Sequence, residues 1–221
     1  MKKKLFVLVA LLAFITTANA QWYAGGSVGF TSTTIDNGNS DESGSSFKII
    51  PDIGYKFDNY LSFGLQVGYS SGVCSFGSLS VTDIKSAIST LTGAYADIST
   101  EDMKLKGFTI SPYVRYTIVN FGRANLFFEG YIGYNNISAD SSPSVSTDDE
   151  DYGGDEFKVN AFELGLRPGV AVQVTDKLEL LCKLGAIGYM SAKEKESDMK
   201  ISRFGVNADT YNLLLGVSFH F

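Results

Sequence analysis

The last eleven residues, YNLLLGVSFHF, alternate so strictly that they leave the chain few folds to choose from. Tyr211, Leu213, Leu215, Val217, Phe219 and Phe221 fall on one face of an extended strand, and Asn212, Leu214, Gly216, Ser218 and His220 on the other. A two-residue period describes a strand that is apolar on one side and polar on the other. Eleven residues rise roughly 33 Å, or about 25 Å along the axis of a barrel whose strands tilt about 40°. That is close to the height of the apolar band around a membrane barrel.

The same pattern recurs seven times upstream. It predicts strands at Trp22–Thr31, Phe47–Phe57, Tyr60–Ser70, Lys106–Ile118, Ala124–Asn135, Phe157–Val174 and Leu178–Tyr189. Tight turns are expected at Asp58-Asn59, Val119–Arg123 and Thr175–Lys177. Residues 32–46, 71–103, 138–156 and 191–206 read as longer polar connections. Within the second of these, Ile84, Ala87, Ile88, Leu91 and Tyr95 recur at helical spacing after Thr82-Asp83, which predicts a short amphipathic helix across the loop. Long and short connections alternate, so both ends of the barrel-forming chain lie on the short-turn side. Membrane barrels show this asymmetry, with short periplasmic turns and long extracellular loops.

Alternation does not say which face points outward. The apolar face carries Phe, Tyr and Leu on every strand, more volume than an eight-stranded lumen holds. The polar face is rich in glycine (Gly54, Gly64, Gly68, Gly133, Gly165, Gly169, Gly185, Gly216), where a soluble exterior would carry Lys and Glu. Glycine suits a narrow interior that must house large neighbours. The expected fold is therefore all-β: an eight-stranded antiparallel up-and-down transmembrane barrel with its apolar face toward lipid. A soluble barrel with a greasy lumen is the alternative these two points disfavour. Pro51, Pro112 and Pro168 fall on the outward face inside these strands, so a bulge or a shifted strand boundary is expected at each.

The start of the chain agrees with export. Lys2, Lys3 and Lys4 precede the apolar run Leu5–Ile15, too short to span a bilayer as a helix, and Ala18-Asn19-Ala20 is a small-x-small cleavage site. A signal peptide over residues 1–20 is expected, cut between Ala20 and Gln21, leaving one barrel domain over 21–221. Taking the leader's three lysines from 18 basic residues leaves 15 against 24 acidic ones, a net charge of −9. An acidic exported chain is a poor nucleic-acid binder. Cys74 is expected at a strand end or loop and Cys182 on the lipid face. One disulfide is geometrically possible, and two unpaired thiols is the plainer reading.

The segments IIPDIGYKFDNYLSFGLQVGY, FTISPYVRYTI, LGLRPGVAVQVTDKLEL and LGAIGY, with the terminal VSFHF, resemble the small outer-membrane β-barrel domain family. That family is grouped with the OmpA/OmpX-like eight-stranded barrels of Gram-negative bacteria. The resemblance covers nearly all of the expected mature chain through loose patterns of Gly, Pro and aromatics. It implies a location in the Gram-negative outer membrane, contact with outer-membrane lipid and lipopolysaccharide, and delivery by the outer-membrane assembly machinery. It also makes Tyr211, Leu213, Leu215, Val217, Phe219 and Phe221 the expected assembly signal.

Three groups of residues could carry chemistry. Counting from the short turns brings Arg115, Glu129, Arg167 and Lys183 to similar depth inside the barrel, with Asp52 and Gln66 nearby and Glu163 somewhat higher. They read as structural lumen charges, paired because an unpaired charge there is costly; a selectivity or gating cluster is the functional alternative. His220, the only histidine, is expected as an inert group at the periplasmic rim with no nucleophile or acid converging on it. Asp148, Asp149, Glu150 and Asp151 lie in an acidic connection that could hold Ca²⁺ or Mg²⁺ against lipopolysaccharide, although a solvated loop is the simpler reading. No Cys/His metal spacing or phosphate-binding Gly loop follows a strand into a helix. The expected function is a non-enzymatic envelope barrel with a structural role or a surface ligand met through its loops, without a cofactor. A lipid-modifying enzyme, a protease and a small-solute channel are the alternatives.

Overall fold

The computed structural model describes residues 22–36, 41–71, 103–141, 156–194, 200–207 and 213–221. Six long strands lead the order: β1 Trp22–Asp36, β2 Asp41–Lys56, β3 Leu61–Ser71, β4 Met103–Asn120, β5 Ala124–Ser141 and β6 Glu156–Gln173. The last two staves are each made of two segments. β7 Leu178–Lys183 continues as β8 Ala186–Glu194, and β9 Lys200–Asn207 precedes β10 Leu214–His220. All ladders are antiparallel between sequence neighbours, and β10 returns to β1 through Tyr23↔His220 to Val28↔Leu215. Eight staves thus close into an up-and-down barrel.

The in/out assignment follows from the side chains. Phe63, Leu65 and Tyr69 on β3, Phe108, Ile110 and Val114 on β4, and Leu215, Val217 and Phe219 on β10 are exposed on the outer wall. Their neighbours Gln66, Thr109, Ser111, Arg115 and Ser218 are buried in the lumen. Greasy outside and polar inside is the arrangement a bilayer demands, because backbone groups are satisfied by the closed ladder and side chains by lipid.

Each tight turn is tied by a polar side chain at its start. The Asp58 carboxylate accepts from the amides of Tyr60 and Leu61, both at 2.7 Å. Asn120 Oδ1 accepts from the Gly122 amide at 2.8 Å, where Gly122 takes φ 82°. Thr175 Oγ1 accepts from the Leu178 amide at 3.0 Å.

Three of the expected connections are shorter than the polar composition suggests; within 138–156, β5 and β6 stay paired as far as Asp140↔Glu156. β1 and β2 stay paired as far as Asp36↔Asp41, so most of 32–46 is hairpin. Thr and Ile are good strand formers there, and a ladder once begun adds backbone bonds whatever the side chains. Residues 200–207, expected within a charged loop, form β9 against β8 from Ala186↔Asn207 to Lys193↔Lys200. Charges near the top of a stave stand in the headgroup region, so they do not disqualify a strand. The helix expected over 84–95 and Cys74 lie outside the described residues, as do the leader and its cleavage point. Cys182 is a free thiol on the outward parity of β7.

The three prolines are accommodated in two ways. At Pro51 the β2–β3 register is the same on both sides, Ile49↔Tyr69 and Asp52↔Gln66, and the ladder skips the positions between. Pro112 does the same between Ile110↔Tyr134 and Tyr113↔Tyr131. Opposite Pro168 the partner stave bulges: the register moves from Gly169↔Lys183 to Leu166↔Ile187, which inserts one residue. The Pro168 carbonyl accepts from the Leu184 amide at 3.2 Å, and Gly185 takes φ 63°. The extra residue reverses parity beyond it. Ala186, expected to face lipid, is buried in the lumen instead.

Candidate functional site

The lumen is built by direct cross-strand pairs of an aromatic and a glycine. Tyr23 faces Gly54, Tyr113 faces Gly64, Tyr131 faces Gly165 and Phe127 faces Gly169. A Cβ at Gly64 would sit 2.6 Å from the Tyr113 ring, and one at Gly165 would sit 2.6 Å from the Tyr131 hydroxyl. At Gly54 and Gly169 it would collide with the Tyr23 and Phe127 rings. Each ring therefore lies flat across its glycine, which lets large side chains fit inside a barrel of eight staves.

A cluster organised around Glu129 fills the space between these rings. Arg115, Glu129 and Arg167 occupy one ladder row across β4, β5 and β6. Glu129 Oε2 lies 3.0 Å from Arg115 Nη2 and 2.9 Å from Lys183 Nζ. Its Oε1 accepts from Gln66 Nε2 at 3.1 Å and lies 3.5 Å from Arg167 Nη1. The guanidinium of Arg115 stands 4.7 Å over the Phe127 ring, and that of Arg167 stands 4.6 Å over Tyr131. Asp52 lies 4.0 Å from Arg115 and accepts from the Tyr113 hydroxyl at 3.4 Å, which is itself 2.8 Å from the Tyr23 hydroxyl.

Glu163 sits one layer nearer the long-connection end. It accepts from Tyr131 Oη at 2.5 Å and Asn135 Nδ2 at 3.5 Å. Beside it a cavity of about 20 Å³ is lined by Lys48, Ser111, Asn135, Glu163, Arg167 and Leu214, among others. That is room for a water or two and nothing larger. The described lumen thus holds four cations (Lys48, Arg115, Arg167, Lys183) and three carboxylates (Asp52, Glu129, Glu163), all buried. Among the described residues no group of three or more His, Cys, Asp or Glu could hold a metal ion.

Arg115, Glu129, Arg167, Lys183, Asp52 and Gln66 come together at one depth, and Glu163 lies above them, as the strand count places them. Lys48 was missed. Its flanks Phe47 and Ile49 face outward, so parity alone points it inward. The Tyr23–Tyr113–Asp52 chain was also missed, because Tyr23 on β1 reaches Tyr113 on β4 across the lumen rather than along a ladder. At the short-turn rim His220 does have an acid beside it, contrary to expectation: Nε2 lies 3.5 Å from Glu179 Oε2. The register of β10 on β7, with Ser218 opposite Glu179, makes the two diagonal neighbours. Ser218 Oγ, buried on the same face, has no hydrogen-bond partner, so this histidine does not engage it. Asp148, Asp149, Glu150 and Asp151 lie outside the described residues.

An antiparallel barrel with a lipid-facing apolar wall and a lumen closed by its own side chains defines an integral outer-membrane barrel of the smallest common size. The chain belongs to the outer membrane protein beta-barrel domain family, whose family model matches residues 5–221. It is a protein of the Gram-negative outer membrane. Similar solved structures include Neisserial surface protein A (17% identity, 90% of this chain and 96% of that one, TM-score 0.45). A major outer membrane protein from Thermus thermophilus is 16% identical over 92% of this chain and 100% of that one, with a TM-score of 0.45. Ail, the attachment invasion locus protein of Yersinia pestis, is 13% identical over 91% of this chain and 99% of that one, with a TM-score of 0.36. No curated protein matches the chain.

Proposed function

We propose that this protein is a non-enzymatic barrel that stabilises the outer membrane and presents its long connections to surface ligands, with a lumen that serves as a core. The observation that carries this reading is the Glu129 cluster. One carboxylate holds Arg115, Lys183, Arg167 and Gln66 across the lumen, and the aromatic–glycine pairs close the space around it. Side chains packed and paired in this way fill the described lumen, which speaks against a wide aqueous path, and they stiffen the barrel from within. Lipid, lipopolysaccharide and the assembly machinery are the partners such a barrel needs. An enzymatic reading finds no support at His220, whose ring lies beside Glu179 and Tyr23 rather than a nucleophile.

Two measurements test the reading. Single-channel recording of the purified barrel in a planar bilayer should show no large, steady conductance. A porin-sized current whose ion selectivity changes in Arg115→Glu would overturn the core reading and make the lumen a conduit. A loop-deletion series should alter surface binding or detergent sensitivity of cells while the barrel still folds. If no deletion affects either, the loops do not carry the function.

A further inference from the structure

Gly133 differs from the four lumen glycines that lie beneath rings. A Cβ at Gly54, Gly64, Gly165 or Gly169 would collide with the aromatic side chain across it. At Gly133 a Cβ would meet nothing closer than Glu163 Cβ at 3.6 Å and Asn135 Nδ2 at 3.7 Å, which is ordinary contact. No ring covers this glycine, and the lumen cavity of about 20 Å³ lies against it. The wall is loosened at the same height. Pro112 has no amide to donate, and the β4–β5 ladder skips Ser111 and Pro112 on one strand and Ile132 and Gly133 on the other. At Pro51 the β2–β3 ladder skips Ile50 and Pro51 against Val67 and Gly68. Ile50, Ser111 and Gly133 all line the cavity, so it sits between two interrupted ladders.

Two polar atoms at this cavity lack a hydrogen-bond partner among the described residues, Ser111 Oγ and Asn135 Oδ1. Their residues are only 5% and 1% exposed, and a buried polar atom left unmet is costly. Asn135 Nδ2 donates to Glu163 Oε2 at 3.5 Å, so Oδ1 is the end of that amide still to be satisfied. An amide oxygen only accepts, whereas a serine hydroxyl also donates. The missing partner must therefore be able to do both. Lys48 and Arg167 border the cavity on one side of the charge balance and Glu163 on the other. A bare cation would face the first two, and a halide would face the carboxylate and the amide oxygen. Size points the same way, because about 10–15 Å³ is enough for one water.

We propose that the cavity beside Gly133 is a binding site for one structural water, which donates to Asn135 Oδ1 and accepts from the Ser111 hydroxyl. Gln66, the ladder partner of Ser111 and also at the cavity, donates to Glu129 Oε1 at 3.1 Å. The water thus stands between the Glu163 layer and the Glu129 layer, and it fills the space that two prolines and an uncovered glycine leave in the core. This deepens the reading of the lumen as a core and rests on it. A conducting lumen would sink both, whereas an empty cavity in a barrel that does not conduct would sink the water site alone.

The test is crystallography of the full barrel at a resolution that shows waters, with soaks in rubidium and bromide. Wild type should show one peak within hydrogen-bond reach of both Ser111 Oγ and Asn135 Oδ1, about 2.7–3.2 Å, and no anomalous signal there from either ion. Gly133→Ala should lose the peak, because its methyl takes the space. Ser218→Ala, which removes another buried hydroxyl away from the cavity, should keep it. Gly133→Ser should also lose the peak yet unfold at higher urea in lipid vesicles than Gly133→Ala, because its hydroxyl stands in for the water. Folding of every variant is read by heat-modifiable migration, and the wild-type peak and ion soaks decide the matter even if Gly133→Ala does not fold. An empty cavity in wild type, a rubidium or bromide signal in it, a peak that survives Gly133→Ala, or a Gly133→Ser barrel no more stable than Gly133→Ala would each overturn the proposal.

Discussion

Glu129 shows how much one buried residue can determine. It is fully buried with three cations and an amide around it, so neutralising it strands positive charge in a confined space. Glu129→Ala should therefore cost about 3–5 kcal/mol in unfolding from lipid vesicles. A simple Arg115–Glu129 pair would be rescued by reversing both charges, but this cluster should not be. An arginine at 129 would stand among Arg167 and Lys183, so Arg115→Glu with Glu129→Arg should be no more stable than either single change in a double-mutant cycle. Recovery of near wild-type stability would mean that Arg167 and Lys183 do not engage Glu129. On the opposite face of the wall, Leu215 is exposed to lipid and Leu215→Arg should cost roughly 2–4 kcal/mol. The neighbouring Gly216 has a different constraint: a Cβ there would stand 2.5 Å from Ser27 Oγ and 2.7 Å from the Gly26 carbonyl. Gly216→Arg should fail by crowding even in a detergent with no bilayer core. Equal sensitivity of both variants to bilayer thickness would contradict the inward placement of Gly216.

At the scale of the strand, the β7–β8 bulge and the terminal stave matter most. The bulge lets Pro168 stand in a closed wall by placing an extra residue where its missing amide would have bonded. Gly185 makes this possible at φ 63°, a conformation that costs a residue with a side chain about 1–3 kcal/mol. Gly185→Val should destabilise the barrel by about that amount, measured by urea unfolding in vesicles, and Pro168→Ala should not relieve it. A neutral Gly185→Val would show that the stave can straighten. β10 closes the barrel by pairing with β1 on one side and β7 on the other. Its apolar face ends at Phe219 and Phe221, whose rings meet edge to face at 5.6 Å. Removing Phe221, or Phe219→Asp, should lower membrane levels of heat-modifiable protein more than it weakens barrel already folded. Normal membrane levels would argue against an assembly role for this terminus.

Across the whole molecule, lipid and water exchange their usual places. The wall buries little against itself, and stability comes from closed backbone ladders, from lipid on the outside and from polar satisfaction on the inside. A lumen this narrow cannot be both a packed core and a wide pore. The lack of a large, steady conductance expected in planar bilayers follows from that geometry at the level of the entire barrel.

The two-residue period determined the stave order and which side chains share a face, because every side chain on a strand belongs to one face or the other; the bulk of the apolar face and the glycines of the other then decided the lipid-facing set and most of the inward charges. It placed Arg115, Glu129, Arg167 and Lys183 at one depth because the tight turns set a common origin for counting. It failed where that counting breaks. Parity reverses at Gly185, so Ala186 turned inward; the charges of residues 200–207 hid β9; and the Thr-rich upper half of β1 resembled a loop. Only the tertiary structure decided the rest. Tyr23 on β1 reaches Tyr113 on β4 because the wall curves round a narrow lumen, and His220 meets Glu179 because the β10–β7 register sets Ser218 opposite Glu179. Glu129 binds three cations rather than one because curvature gathers β4, β5, β6 and β7 around a common axis. Local pattern reports which way a side chain points, and the radius of the barrel decides which others it meets.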